Sequence, residues 1–188
     1  MDQTSQPSSM THLPNALTLG RIAATPAIVI LLLWPESQPA CFAAALVFSA
    51  AALTDYLDGY YARRYALVST LGKFMDPLAD KLLVMASLIM LTSVQRVPGW
   101  MVCIIAGREL AVTGLRAIAA EKGVVIAAER LGKWKMGFQI GAIIPLIIHH
   151  AYLGFSFHLL GIITLWIALA LTILSGIDYF RSFWRIMR

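Results

Sequence analysis

The sequence predicts an all-α integral membrane protein with six transmembrane helices and both termini in the cytoplasm, preceded by a short interfacial segment. Three observations carry this reading. Of 188 residues, 59% are hydrophobic and only 13% charged, with a mean hydropathy of +0.75. A soluble domain carries about 25% charged residues, and a chain this short cannot hide so much apolar surface in one core. The apolar residues also fall into six stretches, each longer than a strand and none alternating with period two, which favours helices over a barrel. Threading those stretches through a membrane puts the basic residues mostly on one side. The same composition excludes a water-soluble globular domain and a disordered chain, which needs low hydrophobicity. Two cysteines exclude a disulfide-stapled secreted module. The net charge of +5 and a pI near 9.5 raise nucleic acid as a partner. No basic stretch is interleaved with exposed aromatics, however, so nucleic-acid binding is not expected, and the surplus is assigned to orienting the protein in its membrane.

Residues 1–11 are polar and rich in Ser, Thr and Gln. They are too hydrophilic for a signal peptide and read as a flexible tail, leaving 12–188 as a single membrane domain. Leu13 and the weakly amphipathic start place a segment along the interface, with Asn15, after Pro14, as an N-cap. Spans follow at roughly 16–34, 39–62, 69–93, 98–119, 132–153 and 156–180, each near the ~20 residues that cross a hydrocarbon core. Breaks fall at Trp34-Pro35, Val97-Pro98-Gly99, Gly123 and Gly154, as turn chemistry expects. Pro26 is expected to kink the first span.

With the N-terminus inside, the inner loops and helix ends hold Arg21, Arg63, Arg64, Lys73, Lys81, Arg108, Arg116, Lys122, Arg130, Lys133, Lys135, Arg181, Arg185 and Arg188. Of the 15 basic residues only Arg96 is left outside, which puts both termini in the cytoplasm. Several of these lie turns inside helices, so part of the asymmetry reports function. Trp34, Trp100, Trp166 and Trp184 suit an interfacial belt. Cys41 and Cys103 share the outer side, where a bridge is conceivable and a small unpaired hydrophobe is the ordinary state. His149 and His150 read as interfacial polar residues. Asp178 is expected either to pair with Arg181 or to help the last helix dock.

The acids are concentrated. Asp55, Asp58, Asp76 and Asp80 are four of the ten Asp and Glu residues and flank the hinge between the second and third spans. Their i,i+3 and i,i+4 spacings put each pair on one helix face. An Asp at mid-membrane costs roughly 2.5–3.5 kcal/mol. Four facing one another also repel, so a cation is expected between them. A solvated polar hairpin is a poorer account, because Asp55 follows a long apolar run and Asp80 starts another. Oxygen-only ligands favour Mg²⁺ or Mn²⁺ over zinc. Four carboxylates suit two such ions, the arrangement used for in-line displacement at phosphorus, and imply a diphosphate substrate. Gly59 and Gly72 let a ligand approach closely, although helix packing through small residues accounts for Gly59 equally well.

The run Asp55-x2-Asp58-Gly59-x2-Ala62-Arg63-x8-Gly72-x3-Asp76-x3-Asp80 resembles, position for position, the signature of the CDP-alcohol phosphatidyltransferase family. The resemblance implies a six-helix membrane enzyme, a homodimer with a cytoplasm-facing site, using two divalent ions, Mg²⁺ or Mn²⁺. It implies that Asp55, Asp58 and Asp76 bind metal and that Asp80 serves as metal ligand or catalytic base. It also implies that Asp55, Gly59, Ala62, Arg63 and Gly72 hold the cytidine diphosphate part.

A second, basic group bears on the acceptor. Arg108 and Arg116 are eight residues apart in the fourth span, on one helix face. Lys133 and Lys135 open the fifth, with Gln139 a turn later. Several cations converging on one cavity are costly unless an anion arrives, and a phosphate on the acceptor supplies one. The bland alternative for the two lysines is anchoring at lipid headgroups. Asn15-Ala-Leu-Thr18-x2-Arg21, Arg108-Glu109-x6-Arg116 and Gly132-Lys133-x-Lys135-x3-Gln139 resemble the branch of the family that makes phosphatidylglycerophosphate, with Met136 a mild departure where that branch often has Thr. That resemblance implies CDP-diacylglycerol as donor and sn-glycerol 3-phosphate as acceptor. Arg108, Arg116, Lys133 and Lys135 would receive the phosphate, with Asn15, Thr18, Arg21, Glu109 and Gln139 in support. It also implies membrane lipids as surroundings and a bacterial inner membrane as location. A cardiolipin or phosphatidylserine synthase of the same family stays open. A small ion or proton transporter is disfavoured, because the charges gather on one side rather than along a crossing path.

Overall fold

The computed structural model describes the backbone over residues 12–65, 70–124, 130–152 and 154–187, and side chains over 19–54, 78–79, 81–124, 131–150 and 154–186. Six helices occupy the described residues: α1 (His12–Leu31), α2 (Gln38–Tyr65), α3 (Thr70–Ser93), α4 (Gly99–Glu121), α5 (Arg130–Ile148) and α6 (Phe157–Met187). By length and composition, two of them, at Leu131–Ile148 and Phe157–Ile186, are apolar enough to cross a membrane. Shorter apolar helical segments lie at Leu19–Leu31, Gln38–Thr54 and Lys81–Ser93. The tail expected over 1–11 lies outside the described residues.

The helix ends follow local chemistry. Gln95 and Gly123 adopt left-handed φ values of 58° and 71°. Behind them Arg96 N–H donates to Leu91 O (2.8 Å) and Val124 N–H to Ala119 O (2.9 Å), so α3 and α4 both close in the reverse turn that satisfies their last carbonyls. Pro98 at the N-cap of α4, with φ −62° and ψ 126°, explains why the chain restarts there.

Three boundaries differ from expectation. Asn15 lies inside the first turn of α1, which begins at His12, so it is not the cap. The fifth stretch, expected to run to 153, ends as α5 at Ile148, because His149 turns left-handed (φ 58°). A two-residue ribbon follows, β1 (Ala151–Tyr152) antiparallel to β2 (Phe155–Ser156), around Gly154 at φ +80°. The last helix runs on to Met187 rather than stopping at 180. Cys41 is buried and Cys103 is exposed, and among the described residues no disulfide joins them. Among the described residues Asp178 makes no ion pair with Arg181.

The chain divides into two compact units, Met1–Ser87 and Leu88–Arg188, with the boundary inside α3. In the first, α1 packs on α2. Ile28 on α1 and Leu32 just beyond its end are buried, as are Ala44, Ala45, Phe48 and Ala51 on α2; the alanines keep that surface shallow, a habit of membrane helix pairs. In the second unit α6 packs on both α5 and α4. A Cβ on Gly161 of α6 would stand 2.6 Å from Leu146 Cγ and 3.1 Å from the Leu146 backbone nitrogen, so the α5–α6 approach requires glycine there. Trp100 and Trp166 meet edge-on at 5.5 Å between α4 and α6. On α6, Ile163, Trp166, Ile167, Ile173 and Leu174 remain exposed while Leu165, Ala168 and Thr172 are buried. An outward apolar face of this kind suits lipid rather than water.

Candidate active site

The aspartate motif lies in the first unit. Asp55, Asp58, Gly59, Ala62 and Arg63 occupy the C-terminal part of α2, and Gly72, Asp76 and Asp80 the N-terminal part of α3. Both segments are helical. The side chains of these residues, like those of Asn15 and Thr18 on α1, lie outside the described residues, and with them the expected metal and cytidine diphosphate contacts. Arg21, on α1, is 2% exposed. With Gly20, Ala24, Val47, Ala50, Ala51 and Thr54 it lines a groove of about 310 Å³ between α1 and α2. Thr54, the last of these lining residues along the chain, is the residue before Asp55 in the sequence. Thr25, one turn on, returns its hydroxyl to Arg21 O at 3.1 Å.

The basic group lies in the second unit, where the structure separates its members. Arg108 of α4 is half-buried: its Nη1 donates to Glu109 Oε1 at 3.2 Å and its Nη2 to Ser175 Oγ of α6 at 3.0 Å. Lys135 of α5, 5% exposed, donates its Nζ to the same Glu109 oxygen. One carboxylate thus serves two cations from two helices. Converging cations call for an anion, and Glu109 supplies part of that compensation from within the protein. Gln139, one turn beyond Lys135, is buried, and among the described residues its Nε2 has no hydrogen-bond partner, nor has Arg108 Nε. Two nitrogen donors are thus buried and unspent, an expensive arrangement in a finished protein core.

Arg116 shares with Arg108 the side of α4 that faces α6, but it is exposed and lies over the ring of Tyr179, 5.9 Å from its centroid. Tyr179 is buried with Val112 and Ala119. Lys133 is exposed, and two residues from Lys135 it points off that residue's face. The cluster therefore joins Arg108, Glu109 and Lys135, and not Arg116 or Lys133. Ser175 escaped the sequence reading, because a serine in an apolar helix more often bonds back to its own turn; this one does so too, through Thr172 O at 3.2 Å.

A family model, CDP-alcohol phosphatidyltransferase, matches residues 11–174. The CDP-diacylglycerol–glycerol-3-phosphate 3-phosphatidyltransferase of Bacillus subtilis (strain 168) is 44% identical over 190 residues, covering 95% of this chain and 98% of that one. The enzyme of the same name from Rickettsia typhi (strain ATCC VR-144 / Wilmington) is 41% identical over 174 residues, 92% of this chain and 97% of its own. A cardiolipin synthase (CMP-forming) of Oryza sativa subsp. japonica is 36% identical over 198 residues, covering 96% of this chain and 60% of that one. With the family model spanning most of its length and the two bacterial relatives matched nearly end to end, the chain belongs to the CDP-alcohol phosphatidyltransferase family, a family of integral membrane proteins.

Proposed function

We propose that the protein transfers the phosphatidyl group of CDP-diacylglycerol to sn-glycerol 3-phosphate, releasing CMP. The observation that carries this is the 44% identity, across 95% of the chain, to the Bacillus enzyme of that name. The cluster of Arg108 and Lys135 around Glu109, with one positive charge in surplus and the Gln139 amide one turn beyond Lys135, supports the choice of a phosphorylated acceptor. In this reading residues 12–188 form one domain of six transmembrane spans with an interfacial lead-in. Both termini and the site face the cytoplasm of a bacterial inner membrane, and the protein works as a homodimer.

Asp55, Asp58, Asp76 and Asp80 hold two divalent ions, Mg²⁺ or Mn²⁺, which when bound supply positive charge against the diphosphate and the departing CMP. Asp55, Gly59, Ala62, Arg63 and Gly72 hold the cytidine diphosphate part. Arg108 and Lys135 bind the acceptor's phosphate, Arg108 through paired N–H groups, with Gln139 adding a donor. Arg116 and Lys133, both exposed, attract the dianion electrostatically on its way in. Asp80 takes the proton from a glycerol hydroxyl. That oxygen forms its bond to the phosphorus carrying the lipid as the bond to CMP breaks. The transfer is a single in-line displacement at that phosphorus.

The test is CMP release by purified protein given CDP-diacylglycerol, Mg²⁺ or Mn²⁺, and a panel of acceptors. Release with glycerol 3-phosphate is expected. Release with phosphatidylglycerol instead would favour the cardiolipin reading, which the rice relative keeps in view, and no release with any acceptor would end the enzyme reading. Asp76→Asn, still inserted in the membrane, is expected to lose activity by a factor of about 10³ or more, the scale of removing an electrostatic stabiliser of the transition state. Chelation with EDTA is expected to abolish turnover, and added Mg²⁺ or Mn²⁺ to restore it.

A further inference from the structure

Arg108 leans on α6 at two consecutive residues. Its Nη2 donates to Ser175 Oγ at 3.0 Å, and its stem lies where Gly176 has no side chain: a Cβ there would stand 3.1 Å from Arg108 Cγ and 3.8 Å from Nε. Ser175 is 3% exposed, and its own proton is committed to Thr172 O at 3.2 Å, so its lone pairs are left to accept from the guanidinium. Thr172, fully buried, is in turn tied to Ala168 O at 2.6 Å. The acceptor atom for Arg108 is thus fixed by two successive turns of α6 rather than by a free rotor. With Nη1 held by Glu109 and Nη2 by Ser175, the plane of the guanidinium is set, and Nε is buried without a partner. Ser175 and Gly176 lie just past residues 11–174, where the family model matches.

We infer that Ser175 and Gly176 form a notch on α6 that positions Arg108 for the phosphate of the acceptor. This rests on the reading of Arg108 as a ligand of that phosphate. Ser175 touches no substrate; it is a positioning residue, and its effect passes entirely through Arg108. Guanidinium recognition of phosphate depends on the orientation of a rigid planar fork, so an unfixed Arg108 still carries its charge but offers it in many orientations.

The experiment measures CMP release while glycerol 3-phosphate and CDP-diacylglycerol are titrated separately. Wild type is compared with Ser175→Ala, Gly176→Ala, Arg108→Ala and the double variant Arg108→Ala/Ser175→Ala, each checked for its unfolding midpoint in detergent. Ser175→Ala is expected to raise KM for glycerol 3-phosphate about tenfold, the scale of losing one hydrogen bond to a charged group, with kcat and KM for CDP-diacylglycerol within about twofold of wild type. Gly176→Ala, which pushes the Arg108 stem aside, is expected to do at least as much. In the Arg108→Ala background Ser175→Ala is expected to add less than about twofold, as a coupled pair requires. If Arg108→Ala raises KM for glycerol 3-phosphate and Ser175→Ala does not, the notch is wrong and the acceptor reading stands. Equal rises in both KM values for Ser175→Ala would mark general damage and also overturn the notch. If Arg108→Ala itself leaves that KM unchanged, the phosphate-binding role of Arg108 falls, and the notch with it.

Discussion

Glu109 is surrounded by positive charge. Arg108 precedes it on α4 and Lys135 reaches it from α5, the three side chains being 18%, 15% and 7% exposed for Glu109, Arg108 and Lys135. A half-buried carboxylate shared between two cations leaves the cluster one positive charge in surplus. Removing one partner of a buried pair costs about 3–5 kcal/mol because the other charge is stranded, and the partial exposure of this trio brings the expected loss to about 2 kcal/mol. Glu109→Gln should therefore lower the thermal unfolding midpoint in detergent. Inorganic phosphate should recover more stability in the variant than in wild type, because it supplies the missing anion. Equal stabilisation by phosphate in the two proteins would show that Glu109 is not the resident counter-ion. None of this was legible from Arg108-Glu109 as letters. The sequence places the two side by side on α4, but sharing the carboxylate with Lys135 depends on packing across helices 26 residues apart.

At the scale of the helix, the same limit separates what was legible from what was not. Six helices followed from runs of apolar residues broken at Pro35, at the polar hinge after the second run, and at Pro98-Gly99, Gly123 and Gly154, because a break in hydropathy together with a turn-forming residue is local information. The end of α5 was not local: its apolar run continues through Ala151, Tyr152 and Leu153, and only the left-handed turn at His149 stops the helix. A ribbon of two residues per strand is also too short for alternation to register. The aspartate spacing, by contrast, was fully readable, since i,i+3 and i,i+4 have meaning within one helix. Arg96 illustrates the hidden kind. It is 4% exposed, and its Nη1 donates to Ile147 O at 2.6 Å and Leu146 O at 3.4 Å. These are among the last carbonyls of α5, which have no partner within their own helix. A cation there also meets the negative end of the helix dipole. Arg96→Ala should destabilise the protein by about 1.5–3 kcal/mol, the scale of hydrogen bonds from a charged group. It should leave KM for both substrates unchanged, because Leu146 is eleven residues, about 16 Å of helix, from Lys135. A variant that raised KM for glycerol 3-phosphate without lowering the unfolding midpoint would assign Arg96 to the site instead.

For the molecule as a whole, the cap changes the meaning of the charge asymmetry. Arg96 was the one basic residue that the six-span threading left outside, against 15 in the chain, and the structure shows it turned onto α5 rather than lying along the outer surface. The expectation that both termini are cytoplasmic rests on the residue count along the chain. Ser93, exposed at the end of α3, and Lys122, exposed just beyond α4, lie on opposite sides in that threading. Each can be replaced by cysteine after Cys41 and Cys103 are changed to serine. In intact spheroplasts a membrane-impermeant maleimide should then label the Ser93→Cys protein and leave Lys122→Cys unlabelled until the membrane is permeabilised. Inside-out vesicles should reverse the pattern. Labelling of Lys122→Cys in intact cells would place α4's C-terminal end outside. The basic cluster that opens α5 would then face away from the cytoplasm, where a glycerol 3-phosphate acceptor and a cytidine nucleotide leaving group are at hand, and the proposed reaction would lose its setting even if purified protein carried it out in detergent.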